Sequence, residues 1–206
     1  MNNLDSHKSH KTSSNTIELV THINGVALDE SYLNMIHKGI DGYYFHNSLQ
    51  LYSHSDEAVE TYNNIRDVNE QFFRYYGDLF DGLATFGQDL FGNQFCFGRS
   101  GILFFNSETA EAEHLVDHFE EWLLHLFKDL DYLTGQQLAA KLKENKKKEL
   151  IGGRLYPKKP FVDGGTFDFE NTFNLKYPDY ISYYSNIAKQ VKNLPDGSTI
   201  KFKIIE

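Results

Sequence analysis

A chain of 206 residues, of which 40% are hydrophobic and 15% aromatic, is long and apolar enough to bury the core of one large domain. Its formal net charge of -9 argues against direct nucleic-acid binding, which normally requires a basic excess, and favours a basic partner. Cys96 is the only cysteine, which excludes an internal disulfide. No apolar run reaches the roughly 18 residues of a membrane span, and the N-terminus lacks the apolar segment of a signal peptide, so we expect a cytoplasmic protein with no membrane partner.

The first third of the chain alternates predicted helices and strands. Residues 1–16 are polar and rich in Ser, Asn, Lys and His, which predicts a mobile tail. Asp29 is placed to cap a helix whose apolar face includes Leu33 and Ile36. The segments predicted next are short strands at residues 43–45 and 49–52, a helix from Ser53 or Ser55 to Asn64, and a helix at residues 67–79.

Residues 83–127 carry the strongest strand signals. Phe95 and Phe97 alternate with polar or small residues, so they share one face of a strand. The glycines of residues 98–101 suit a tight reversal, and the apolar run at residues 102–105 predicts a strand covered on both faces. We expect the acidic stretch NSETAEAE to be a turn, and a helix carrying Trp122 to begin at about Leu115.

The C-terminal part is predicted from caps and turn residues. Leu133, Thr134, Gln137 and Leu138 have the spacing of a capping box with a hydrophobic staple, which predicts a helix ending near the lysines at 146–148. Short extended pieces should follow residue 151, then a helix after Pro178, and an alternating strand at residues 199–205. The whole pattern predicts an α+β domain.

Three histidines suggest one chemical site. His114, His118, Glu121 and His125 are spaced by four, three and four residues, so on a single helix they would line one stripe. Imidazoles one turn apart can chelate zinc, but the glutamate that a metalloprotease helix places after its first histidine is replaced by Leu115. A zinc site and a solvated polar helix face both fit this spacing.

Other catalytic patterns are absent from the sequence. It contains no G-x-S-x-G nucleophile elbow and no phosphate-binding glycine loop with its lysine. Cys96 lies among aromatic residues and is interpreted as an inert core thiol. The pairs Asp78 with Asp81, and Asp168 with Glu170, lie in loop-like settings that favour solvation. We therefore expect neither an enzyme nor a cofactor.

One segment is strongly acidic. Residues 106–131 contain eight acidic residues and one lysine. A solvated helix face explains this charge, and so does a docking surface that steers a basic protein. The candidate partner-binding residues are Glu108, Glu111, Glu113, Asp117, Glu120 and Glu121.

The same region resembles the SUKH superfamily, which includes fungal cell-wall-assembly regulators and many bacterial immunity proteins. The likeness lies in the run FGQDLFGNQFCF at residues 86–97, the short hairpin, the ETAEAE turn and the helix with Glu120-Glu121-Trp122-Leu123. The opening LDESYLNMIHKGIDG also fits. Residues 17–206 would then form one domain, with residues 150–206 as a C-terminal extension seen in some bacterial members.

The resemblance implies a mainly antiparallel sheet flanked by helices. It also implies a non-enzymatic role, namely binding and neutralising a cognate bacterial toxin, often a nuclease, by occlusion. It assigns no toxin-contact residue, and Gly92, Asn93 and Trp122 are interpreted as structural. An intracellular scaffold or regulator of the same fold with a non-toxin partner is one alternative, and an enzyme that uses the histidine stripe is another.

Overall fold

A seven-stranded antiparallel sheet is the central layer of the protein. The computed structural model describes residues 4–11, 19–55, 64–144, 152–195 and 197–198, with side chains for all of these except residues 10 and 11. The strands are β1 (Lys8–Lys11), β2 (His22–Ile23), β3 (Val26–Ala27), β4 (Gly42–Tyr44), β5 (Leu49–Leu51), β6 (Ala84–Gln88), β7 (Gln94–Gly98), β8 (Gly101–Asn106), β9 (Glu111–Val116), β10 (Gly153–Pro157) and β11 (Thr172–Lys176). The large sheet has the order β1-β4-β5-β6-β7-β8-β9, and β2–β3 and β10–β11 form separate ribbons.

Helices cover both faces of this sheet, which confirms the predicted α+β class with a mainly antiparallel sheet. Within the described residues they are α1 (Glu30–His37), α2 (Ile65–Tyr76), α3 (Phe119–Lys128), α4 (Leu130–Thr134), α5 (Gln136–Glu144) and α6 (Asp179–Val191). Short 3₁₀ turns occur at Asp5–His7, Gly77–Phe80 and Phe161–Asp163.

Aromatic side chains join each layer of helices to the sheet. On one face the fully buried indole of Trp122 in α3 packs edge-on against Phe95 of β7, with ring centroids 5.1 Å apart. On the other face Phe105 of β8 packs edge-on against Phe72 of α2. This placement follows from the alternation of side chains along strands, and it confirms Trp122 as a core anchor.

Two local predictions are confirmed. The Asp29 carboxylate accepts hydrogen bonds from the backbone N–H groups of Ser31 and Tyr32, at 2.8 and 3.3 Å, and so caps α1. Strands β7 and β8 pair directly from Gln94↔Phe105 to Gly98↔Gly101, so residues 98–101 are the predicted reversal. Both features depend on residues close together in sequence.

The acidic turn is confirmed only in its first half, and the helix start predicted at about Leu115 is wrong. The turn is confined to residues 107–110, and Glu111–Val116 form β9, which pairs with β8. Pairing with the edge of β8 provides backbone hydrogen bonds for this segment, and this outweighs its weak helical pattern. Leu103 and Phe104 of β8 are only half-buried, so the prediction of a strand covered on both faces fails at these two residues.

Part of the predicted polar tail belongs to the sheet. Lys8–Lys11 pair with β4 as an edge strand, and the side chain of Leu4 is buried. The lysine ammonium of Lys8 donates to the carbonyl of Gly39 at 2.6 Å. Pairing with a strand that is distant in the sequence therefore places this segment in the sheet, although its own composition is polar.

The predicted capping box at Thr134 is also wrong. Thr134 is the last residue of α4, and its hydroxyl donates to the carbonyl of Leu130 at 2.6 Å. The left-handed Gly135 separates α4 from α5, and the backbone N–H of Gln137 is bound instead by Asp131 at 2.8 Å. The lysines at 146–148, the strand at 199–205 and most of the helix at 53–64 lie outside the described residues.

Residues 152–195 pack onto the sheet through tyrosines. Tyr156 of β10 and Tyr180 and Tyr184 of α6 are buried, and the backbone N–H of Leu155 donates to the carbonyl of Leu90 at 3.0 Å. The helix predicted after Pro178 is confirmed as α6.

Candidate partner-binding surface

Five exposed acidic side chains lie along the last strand of the large sheet and around the start of the helix that follows it. Glu111 and Glu113 are on β9, the last strand of the sheet order, while Asp117 precedes α3 and Glu120 and Glu121 lie in its first turn. We call these five residues the acidic edge. Five of the six residues predicted for a partner-binding patch are therefore exposed on β9 and around the start of α3.

The acidic edge is held in place by its own hydrogen bonds. One carboxylate oxygen of Glu121 accepts from the backbone N–H groups of Asp117 and His118, at 3.2 and 3.3 Å. The Nε2 atom of His114 lies 3.1 Å from a carboxylate oxygen of Asp117. Because acidic groups are stabilised at a helix N-terminus, the start of α3 can hold these charges close together.

Glu108 does not belong to this surface, so that prediction is wrong. Its side chain is only 2% exposed, and its two carboxylate oxygens accept from the backbone N–H groups of Phe161 and Val162 at 2.9 and 3.0 Å. Burial raises the pKa of this carboxyl to about 7, although the two hydrogen bonds oppose the rise. Glu108 thus clamps a distant turn onto the core, and nothing near it in sequence signals this.

The predicted histidine stripe does not form. His114 is on β9, His118 precedes α3 and His125 is within α3, so the three do not share a helix. The nearest acidic partner of His125 is Asp129, 3.7 Å away. Across the described ranges, no group of three or more His, Cys, Asp or Glu side chains is arranged to hold a metal ion.

The turn between β6 and β7 contains a buried acid that the sequence reasoning missed. Asp89 accepts from the backbone N–H groups of Phe91 and Asn93 at 2.9 and 2.8 Å, and from the Asn93 amide at 2.8 Å. Burial raises the pKa of Asp89 to about 7. The Asn93 oxygen in turn accepts from the backbone N–H of Ser107 at 3.1 Å, which links this turn to the one before β9. An aspartate before Gly92 is a turn signal, but it does not predict burial.

Gly92 and Asn93 are structural, as predicted. Gly92 has a φ of +79°, and a Cβ atom there would lie 2.5 Å from the Tyr156 hydroxyl oxygen. Glycine is therefore required both by the backbone conformation and by the close approach of β10.

A buried polar row is a second feature that the sequence reasoning missed. The amide of Gln88 donates to the oxygen of Gln50 at 2.7 Å, and the buried guanidinium of Arg154 donates to the same oxygen at 3.1 Å. The Tyr180 hydroxyl donates to the Gln88 oxygen at 2.7 Å. These contacts join β10 and α6 to the centre of the sheet, so the row has a structural role.

Other predicted side chains have simple settings. The thiol of Cys96 is buried and its pKa is raised by burial, as expected for an inert core cysteine. Asp78 and Asp81 are exposed, and Asp168 accepts from the backbone N–H of Asn171 in a turn at 2.8 Å. No helix within the described residues combines the length and the hydrophobicity needed to cross a bilayer.

Comparison with known proteins supports the architecture. No family profile and no curated protein matches the sequence. Among solved structures, the chain is similar to the crystal structure of Atu4351 from Agrobacterium tumefaciens, with a TM-score of 0.50, 14% identity, and coverage of 77% of this chain and 75% of that chain. Similarity at this identity concerns the fold alone.

Proposed function

We propose that the protein is a non-enzymatic immunity protein, which binds a cognate bacterial toxin in the cytoplasm and neutralises it by occlusion. The observation that carries the proposal is the acidic edge, where five exposed carboxylates lie on β9 and the start of α3. The resemblance of residues 86–97 and 120–123 to the SUKH superfamily supports the same role.

The chemistry of the edge favours a basic toxin. Complementary charge raises the rate of association and selects the correct partner. Enzymes that act on nucleic acids need basic clefts to bind a polyanion, so a nuclease is the toxin class that this surface fits best. The outer side of β9 pairs with no other strand of the described residues, and it therefore offers backbone groups to a partner as well as charge.

Co-expression with the toxin encoded in the neighbouring reading frame tests the proposal. We expect the protein to protect growth and to elute with the toxin as one complex in size-exclusion chromatography. The triple variant Glu111→Lys, Glu113→Lys and Glu120→Lys should slow association and weaken protection. A matched variant carrying Glu70→Lys, Asp78→Lys and Asp81→Lys reverses three exposed acids elsewhere and should protect like the wild type.

Two results would count against the proposal. Absence of both protection and a complex would exclude toxin neutralisation. A stable complex with a different cellular protein, without protection, would favour the regulatory scaffold.

A further inference from the structure

A groove of about 440 Å³ opens beside the acidic edge. Its volume lies within the range of roughly 300–1,000 Å³ that is typical of ligand sites. Phe104 of β8, Tyr132 of α4 and Phe167 line it together with the polar side chains of Asn106 and Asp131. It therefore combines flat apolar walls with a few polar groups.

Two of the aromatic walls are unusually exposed. Tyr132 is 76% exposed and Phe167 is 61% exposed. Phe167 nevertheless has fixed neighbours, since it stacks on Phe161 with ring centroids 3.9 Å apart and meets Phe91 edge-on at 5.0 Å. The groove thus presents the packed ring of Phe167 and the exposed ring of Tyr132 to solvent, and aromatic faces attract cations.

The charge around the groove is mostly negative. Asp131 is held at the groove by its 2.8 Å bond from the backbone N–H of Gln137. Glu113 lies directly opposite Phe104 in the β8–β9 register, and Glu111 lies opposite Asn106, so both glutamates are on the sheet face that carries the groove. Lys141 is a cation in the lining, and three carboxylates outnumber it.

Asp89, the second acid in the lining besides Asp131, does not contribute in the same way. Asp89 also borders the groove, but both of its oxygens already accept hydrogen bonds from Phe91 and Asn93. We therefore assign Asp89 to the turn and Asp131 to the groove, while Glu111 and Glu113 lie next to the groove on the adjoining strand.

We propose that this groove binds the guanidinium group of an arginine side chain on the surface of the partner. A guanidinium is planar, so it can stack on Tyr132 or Phe167 while it donates paired hydrogen bonds to Asp131. A lysine ammonium has no plane to stack, and an anionic ligand would meet the carboxylates. The identity of the chain that carries the arginine rests on the proposed function, whereas binding of the guanidinium group does not.

Titration of the full-length ¹⁵N-labelled protein with N-acetyl-arginine amide, followed by NMR, tests the inference. We expect saturable shifts of the amide signals of Asn106, Asp131 and Tyr132, and weaker binding of N-acetyl-lysine amide. Asp131→Asn, which keeps an oxygen for Gln137, should raise the apparent Kd by up to about fivefold, as should Tyr132→Ala, while Lys141→Gln should lower it. Asp81→Asn, an exposed acid elsewhere, is the matched control and should leave the Kd unchanged.

The outcomes separate this inference from the proposed function. Shifts that do not saturate, or that are equal for the arginine and lysine probes, would overturn the groove assignment even if the protein protects against the toxin. Selective arginine binding without toxin protection would retain the groove and reject the immunity role. If the protein binds arginine selectively and also protects against the toxin, Asp131→Asn should weaken the toxin complex as well.

Discussion

The buried carboxyl of Glu108 should make the stability of the protein depend on pH. Its pKa is about 7 in the fold, compared with an ordinary value of 4.5. Between these values the folded protein keeps a proton that the unfolded chain releases, so raising the pH removes stability. The contribution of Glu108 is thus full below the unfolded pKa and is lost as the pH rises through 7.

The size of this effect follows from the two pKa values. Between pH 5 and pH 8, linkage gives a loss of about 2.5 kcal/mol in the free energy of unfolding from Glu108 alone. Glu108→Gln cannot ionise but keeps the shape of the side chain, so the variant should lack this part of the pH dependence. Asp89, whose pKa is also raised to about 7, contributes equally to both proteins and cancels in the comparison.

Urea unfolding of the wild type and of Glu108→Gln at pH 5 and pH 8 measures the difference. Glu111→Gln is the matched control, because it makes the same chemical change three residues away on an exposed side chain, and it should follow the wild type at both pH values. If Glu108→Gln and the wild type lose the same free energy of unfolding between the two pH values, the clamp formed by Glu108 does not determine the pH dependence.

Three further changes test the core and the turns. Trp122→Ala should lower the free energy of unfolding by about 3–5 kcal/mol in urea, because it empties a fully buried aromatic site; a loss below about 1 kcal/mol would contradict this packing. Gly92→Ala should lower it by about 1–3 kcal/mol, because strain and a clash with Tyr156 combine. Gly82→Ala should lower the free energy of unfolding by less, because Gly82 also has a positive φ (+69°) but no atom lies near an added Cβ. This variant therefore measures the backbone strain without the clash. Burial lowers the pKa of His54 to about 4 from 6.5, so acidification from pH 7 to 4.5 should remove about 2 kcal/mol of stability through this residue; the loss should be absent in His54→Asn unfolded in the same way.

Short-range patterns were enough to predict a large part of the architecture. The alternation of Phe95 and Phe97, the glycines of the β7–β8 reversal and the cap at Asp29 each involve residues a few positions apart. The resemblance to a known superfamily added the expectation of an antiparallel sheet. Trp122 was assigned correctly to the core because a large aromatic side chain within an amphipathic helix is buried in most settings.

The misassigned segments have one physical cause in common. Residues 111–116 form a strand because β8 has an edge that they can pair with, and Lys8–Lys11 join the sheet through β4. Strand formation depends on a partner strand that lies elsewhere in the chain. The prediction of a histidine stripe was wrong for the same reason: it required one helix from His114 to His125, but His114 lies on β9.

Glu108 and Glu111 show most clearly what local composition could and could not determine. Both belong to the acidic run, and the charge of that run was evident from composition. Glu108 is buried because the N–H groups of Phe161 and Val162, more than fifty residues away, come to its carboxylate, whereas Glu111 lies exposed on the edge strand. Long-range contacts thus decided which acidic groups are buried and which are exposed to solvent, because the burial of a charge depends on the hydrogen-bond donors that the folded chain brings to it.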